Sequence, residues 1–240
     1  MTIPAKLLTA GFAAWTGMWM LLSGCGAKPE AGAASSSPSG TVQAAPATAK
    51  PSASPSVSPS QSPSKSWTQP PEMSIDTSKT YKAVFKTSKG SFTVELFAKD
   101  APKAVNNFVF LSKEHFYDGV TFHRIIESFM IQSGDPKGNG TGGPGYKFAH
   151  EPTQYKYDKG IVAMANSGPA TNGSQFFIVT GNASHLNAEP DYTVFGKVIE
   201  GMDTTVTSIA KTPVKTNPLN GNAETPTEKV TIDSIQITEE

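Results

Sequence analysis

The sequence predicts a mainly β domain, an antiparallel barrel with helical caps, carried behind an N-terminal region not built to fold. Three observations support this. Many short strand-like apolar runs lie between residues 81 and 237, joined by long Gly-rich connections. Only two stretches, at 102–112 and 202–209, read as helices. Between residues 26 and 73, Ala, Ser, Pro and Thr dominate, so too little apolar surface exists to offset the entropy of ordering. This combination argues for an antiparallel barrel with helical caps.

From the N-terminus, Lys6 precedes an apolar run from Leu7 to Leu22. At about sixteen residues it falls short of the roughly twenty that a membrane-spanning helix needs. It ends in Leu22-Ser23-Gly24-Cys25, and Cys25 is the only cysteine. The pattern resembles a bacterial lipobox, in which the signal is cut before the cysteine and the thiol is lipidated. Residues 1–24 are therefore read as a lipoprotein signal peptide and Cys25 as the lipidation site. The other reading is an ordinary secretory signal, or an uncleaved anchor, with an incidental cysteine. A diacylated cysteine is sufficient for stable attachment. The expected location is the outer face of a bacterial cell membrane, with the rest of the chain extracytoplasmic. With Cys25 blocked, the mature chain has no thiol, which excludes a disulfide framework, a zinc–thiolate site and a cysteine nucleophile. Twenty acidic side chains balance twenty basic ones, so neither nucleic acid nor a polybasic membrane patch is indicated.

Residues 25–73 read as a disordered tether with polyproline character. Ser54-Pro55, Ser58-Pro59 and Ser62-Pro63 fall on a loose four-residue beat. Some fifty such residues reach on the order of 150 Å fully extended, and about 40 Å as a coil. The tethered Ser-Pro bonds are also weak candidate substrates in cis, at about millimolar effective concentration. Residues 74–240 are the size of one domain with one core.

Within that domain, runs at 81–87 and 91–97 are separated by Ser88-Lys89-Gly90 and read as a hairpin. Asp100-Ala101-Pro102 reads as a helix start, with Asp100 the capping side chain. Ala104, Val105, Phe108 and Leu111 then fall on one helical face. Strands are expected at 121–125, 129–133, 160–165, 175–180, 193–198 and 230–237, with a short helix at 202–209.

One residue stands apart in the composition. Arg124 is the only arginine, against nineteen lysines. Arginine carries a planar, permanently charged fork of donors on a weakly hydrated head. Among Phe122, Ile125, Phe129 and Met130 it must be partly desolvated, which suits a fixed, directional donor better than an incidental surface charge.

Arg124 lies within Phe122–Asp135, FHRIIESFMIQSGD, and a second window, Gly160–Thr180, reads GIVAMANSGPATNGSQFFIVT. Between them lies Gly138-Asn139-Gly140-Thr141-Gly142-Gly143, and after them Val194-Phe195-Gly196-Lys197-Val198. Together these blocks resemble the cyclophilin family of peptidyl-prolyl cis-trans isomerases, over residues 79–237. The resemblance implies an eight-stranded antiparallel closed barrel capped by two α-helices, with the active groove outside the barrel. The Gly-rich block lacks the Gly-Lys-Ser/Thr of a phosphate loop; the resemblance makes it a loop beside the groove.

The implied reaction is rotation about an X–Pro amide in a proline-containing polypeptide. It breaks no bond and calls for no cofactor, metal or nucleophile. The resemblance assigns Arg124 the role of donor to the proline nitrogen as the amide twists. Gln132 would bind the substrate backbone, and Gln175 would help orient Arg124. The proline ring would sit among Phe129, Met130, Phe177 and Leu186, and Ala165 and Asn166 would offer main-chain contacts. His123 neighbours Arg124, but no proton transfer is required, so it is read as a satisfied structural histidine. His185 stands where many cyclophilins carry a tryptophan, and Tyr192 where a histidine often lies. Both would line the groove rim, and weak cyclosporin binding is expected. The alternative function is a proline-segment binding module or holdase chaperone with little turnover. A monomer is expected.

Overall fold

The computed structural model describes residues 65–188 and 191–240. The expected signal peptide, Cys25 and the expected tether as far as residue 64 lie outside the described residues.

Ten strands form. β1 (Tyr81–Thr87) and β2 (Gly90–Leu96) make the expected hairpin, with Thr87 opposite Gly90. They are followed by β3 (Arg124–Ile126), β4 (Met130–Ser133), β5 (Ile161–Met164), β6 (Phe176–Val179) and β7 (Val194–Glu200). β8 (Val214–Thr216), β9 (Ala223–Pro226) and β10 (Ile232–Glu239) complete the set. Eight of them build one curled antiparallel sheet in the order β10–β1–β2–β7–β5–β6–β4–β3, while β8 and β9 pair separately.

No strand ladder joins the two edges, β3 and β10. The chain ahead of β3 instead meets the start of β10 through Gly119 N to Ile232 O (2.7 Å), Phe122 N to Val230 O (3.0 Å) and Ile232 N to Val120 O (2.8 Å). Thr121 bridges Thr231 in the same place. β3 proper begins at Arg124 rather than at 121, and the residues just ahead of it, 119–122, pair with the chain around the start of β10. The β8–β9 hairpin, absent from the strands expected by sequence, packs over β3.

Among the described residues, two α-helices and a 3-10 turn at Ser184–Asn187 accompany the sheet. α1 (Pro102–Lys113) buries Ala104, Val105, Phe108 and Leu111, the four residues that share a face in the sequence. α2 (Thr207–Ala210) continues a π-turn at Met202–Val206. Asp100 does not cap α1. Its carboxylate accepts the Tyr155 hydroxyl at 2.6 Å, and the buried Glu151 serves the helix instead. Lys103 N donates to Glu151 Oε1 at 3.0 Å and Ala104 N to Oε2 at 2.9 Å. A carboxylate held on orphan N–H groups at a helix N-terminus is favoured by both hydrogen bonding and the helix dipole.

The sheet's two-residue period separates two apolar clusters. Ile125, Ile131, Val162 and Ile178 face inward with Phe85, Phe92, Phe108, Phe176 and Phe195. Phe85 stacks on Phe92 at 4.4 Å between ring centroids, and Phe108 meets Phe176 edge-on at 5.8 Å. Their neighbours along the same strands, including Met130, Ala163, Phe177, Val179 and Val194, form a smaller cluster on the opposite face.

The folded unit begins earlier than residue 74. Trp67 packs edge-on against Phe110 at 5.1 Å and against Phe116 at 6.0 Å. Its backbone N donates to Pro144 O at 2.8 Å, and Asn106 Nδ2 donates to Glu72 O at 2.9 Å. Residues 65–73 read as tether from their composition, but one tryptophan and a few main-chain bonds are enough to dock them. Among the described residues, no helix is long and apolar enough to cross a membrane.

Candidate active site

Register decides which side chains meet. Arg124 on β3 lies opposite Gln132 on β4, Gln132 lies opposite Phe177 on β6, and Phe177 lies opposite Ala163 on β5. Side chains directly opposite on adjacent antiparallel strands share a face, about 5 Å apart at Cβ. The row therefore carries a guanidinium, an amide and an aromatic ring across three neighbouring strands, on the face opposite the main core.

An apolar floor adjoins this row. Met130 and Phe177 are buried, with Phe129, Leu186, Tyr192 and Ala165 half-buried around them. Tyr192 meets Phe177 edge-on, with centroids 5.4 Å apart and planes at 89°. The exposed His185 ring lies 4.9 Å from Phe129. Phe129 is held by its own backbone, whose carbonyl accepts Thr180 N at 2.9 Å and Gly181 N at 3.2 Å. Gly181 is required there, because a Cβ at this position would overlap the Ser128 carbonyl.

The two glutamines form a relay. Gln132 Nε2 donates to Gln175 Oε1 at 3.0 Å, and Gln175 Nε2 donates to Gly142 O at 2.8 Å and Gly140 O at 3.1 Å. Gln175 thus supports Gln132 and the Gly-rich loop; no bond joins it to Arg124, contrary to the role expected for it. The loop is shaped from beneath by the buried Asp135. Its carboxylate accepts N–H bonds from Lys137 (2.7 Å), Asn139 (3.0 Å) and Gly140 (2.6 Å). Burial raises the Asp135 pKa, but these N–H donors outweigh it and hold the carboxyl below its ordinary value. A groove of about 860 Å³ runs along this loop, lined also by Gln132, Gln175, Ala165, Asn166 and Ser66. Asn166 is partly spent on structure, its Nδ2 donating to Asp191 O at 2.9 Å.

Arg124 is oriented by a residue that sequence reasoning missed. Its Nε donates to Glu224 Oε2 at 2.6 Å. The carboxylate is the enclosed member of the pair, with side chains 35% and 3% exposed for Arg124 and Glu224. Glu224 Oε1 accepts Asn220 Nδ2 at 2.6 Å and Asn217 Nδ2 at 3.1 Å. Burial pushes the Glu224 pKa up, but hydrogen bonds from Asn220 and Arg124 prevail and hold it below the ordinary glutamate value. Glu224 follows Arg124 by 100 positions and sits in a segment without motif. The available signal was physical: a half-buried arginine requires a counter-charge.

His123 departs from its reading as a satisfied histidine. Both ring nitrogens are buried, and neither makes a hydrogen bond of normal geometry among the described residues. Burial lowers its pKa below 6.5, against the opposing field of Asp135, so the ring is neutral near pH 7. Among the described residues, no group of three or more His, Cys, Asp and Glu side chains is placed to hold a metal.

Comparison with known proteins bears on the same residues. The family model for cyclophilin type peptidyl-prolyl cis-trans isomerases matches residues 82–237. A probable peptidyl-prolyl cis-trans isomerase A of Mycobacterium bovis is 45% identical over 176 residues, spanning 66% of this chain and 92% of the relative. A Helicobacter pylori peptidyl-prolyl cis-trans isomerase is 49% identical over 127 residues, spanning 51% and 76%. Among solved structures, a cyclophilin type isomerase of Cryptosporidium parvum superposes with a TM-score of 0.59 at 35% identity, covering 66% of this chain and 98% of its own. A second crystal structure of that protein, in the presence of the dipeptide Ala-Pro, gives 0.59 at 36% identity, covering 65% and 98%.

Proposed function

The chain belongs to the cyclophilin family of peptidyl-prolyl cis-trans isomerases, and from that premise we propose that it accelerates X–Pro rotation in exported or cell-envelope polypeptides and so assists their folding. The observation that carries the mechanism is the row Arg124–Gln132–Phe177 beside an apolar floor, with the guanidinium held in one orientation. Rotation meets a barrier of about 20 kcal/mol because amide resonance must be lost. Whatever favours the twisted amide over the planar one lowers that barrier. At the twist the proline nitrogen becomes pyramidal and regains a lone pair. A donor aimed at it then gains strength only in the transition state.

The chain's own groups suit these steps. The proline ring packs on Phe129, Met130, Phe177 and Leu186. Gln132, steadied by Gln175, holds the backbone of the substrate, and Ala165 and Asn166 border the residues before proline. Arg124 donates to the pyramidal nitrogen. A charge-assisted bond contributes about 1.5–3 kcal/mol, or about ten- to a hundredfold in rate. The apolar floor supplies a further part by favouring the less dipolar twisted amide.

Placement at the membrane is supported by Leu22-Ser23-Gly24-Cys25 and by the absence of any other cysteine. In this reading residues 1–24 are removed, Cys25 is lipidated, and a long Ser/Pro tether holds a monomeric isomerase outside the cell membrane. The hydrogen bonds from 119–122 to 230–232 support treating the curled sheet as a closed barrel.

The test is prolyl isomerisation of a proline-containing peptide by the chain from residue 65 onward, beside Arg124→Lys and Arg124→Ala. Losses of about a hundredfold in both variants are expected, because lysine supplies charge without the fixed fork. Nearly full activity in the lysine variant overturns the arginine mechanism. A folded but inactive parent points instead to a proline-binding holdase.

A further inference from the structure

We propose that Glu224 is a positioning residue for isomerisation, setting the plane of the Arg124 guanidinium from a hairpin outside the main sheet; this rests on the catalytic reading of Arg124 above. The guanidinium is planar and includes Nε, so fixing the Nε–H direction fixes the plane in which both Nη groups lie. Glu224 Oε2 takes that Nε–H at 2.6 Å. The bond uses the donor nearest the main chain and leaves the outer fork for a substrate.

Glu224 is suited to this in three ways. It is nearly inaccessible, at 2% exposure, whereas the Arg124 side chain keeps 35%. The fixed partner is thus the carboxylate and the substrate-facing one is the cation. Its other oxygen is held by Asn220 and Asn217, so the carboxylate cannot rotate without breaking those bonds. Its position on β9 packs it directly over β3. An arginine tethered in this manner meets the transition state with little side-chain entropy left to lose, and small misplacements of a reacting group are costly. The β8–β9 hairpin is thereby assigned to the catalytic apparatus, although it contributes no strand to the main sheet.

The position also carries a sign for pH. Glu224 has a folded pKa below its ordinary value of 4.5. Its contribution is therefore fully present above 4.5 and lost only as pH falls through the lowered folded value.

Because Arg124 is the only arginine, its Nε–H gives the single arginine side-chain signal in ¹⁵N-edited NMR, a readout independent of turnover. In the chain from residue 65 onward, that signal is expected to be sharp and slow to exchange with solvent. Glu224→Ala is expected to broaden it and to lower kcat about tenfold, the low end of a charge-assisted bond, with KM nearly unchanged. Glu224→Gln, which keeps an acceptor but not the charge, is expected to recover part of the rate and to remove the part of the parent's acid limb that lies below pH 4.5, the nearby His123 contributing alike in both proteins. Should Glu224→Ala not fold, the Gln variant and its pH profile decide. Unchanged kcat in a folded alanine variant, or an acid limb identical in parent and Gln variant, overturns this inference alone. An inactive parent instead sinks the catalytic reading on which it rests.

Discussion

Trp67→Ala tests whether the folded unit begins ahead of residue 74. The indole packs against Phe110 at 5.1 Å with planes at 68°, and against Phe116 at 6.0 Å with planes at 49°. A fully buried tryptophan cut to alanine costs about 3–5 kcal/mol. Trp67 is only partly buried, which reduces the transfer part of that cost by about half. Two aromatic contacts at about 0.5–1.5 kcal/mol each lie within the same range. The expected loss is therefore about 2 kcal/mol, equivalent to about 4–8 °C in melting temperature for a domain of this size. The main-chain bond from Trp67 N to Pro144 O survives in the variant, so the difference isolates the side chain. Urea unfolding followed by far-UV circular dichroism measures it. The parent offers a second signal, since Trp15 and Trp19 fall within the proposed signal peptide and Trp67 is then the single tryptophan. A midpoint shift equivalent to less than about 0.5 kcal/mol, the range of surface substitutions, would show that residues 65–73 lie on the domain without belonging to its fold.

Three further outcomes follow from particular contacts. Glu151→Ala strips Lys103 N and Ala104 N of their acceptor and is expected to cost about 1–2 kcal/mol, with Glu151→Gln recovering part; equal urea midpoints for parent and alanine variant would refute the cap. His123 is held neutral by burial with a pKa below 6.5, whereas the unfolded chain takes up a proton below about 6.5. Stability is therefore lost as pH falls from that value towards the lowered folded one. His123→Leu is expected to remove this dependence below about pH 6.5, and equal acid losses in parent and variant would contradict it. Cyclosporin is expected to bind weakly, because the exposed His185 offers an imidazole beside Phe129 in place of an indole; a tight-binding titration overturns that expectation.

Local chemistry was legible wherever one segment sufficed to state it. Ala104, Val105, Phe108 and Leu111 fall on one face of α1 because helical spacing is a property of twelve consecutive residues. Phe129, Met130, Phe177, Leu186 and Tyr192 gather in one cluster. The expected strands came within a residue or two except at the start of β3, and β8 and β9 were not among them.

Charge partners were not legible in this way. Asp100 looked like the cap of α1 because it stands beside the helix start, yet Glu151, 47 positions beyond Ala104, takes the N–H groups. Gln175 was expected to orient Arg124, yet it reaches Gln132 and the Gly-rich loop. A hydrogen bond is decided by separations of about 3 Å, and only the closed fold sets which groups come that near. Residue types, periodicity and a lone arginine determined what chemistry this chain has available and which strands carry it. The tertiary structure alone decided that Arg124 is held by Glu224, because a half-buried cation pairs with whichever carboxylate the fold brings to it, however distant in sequence.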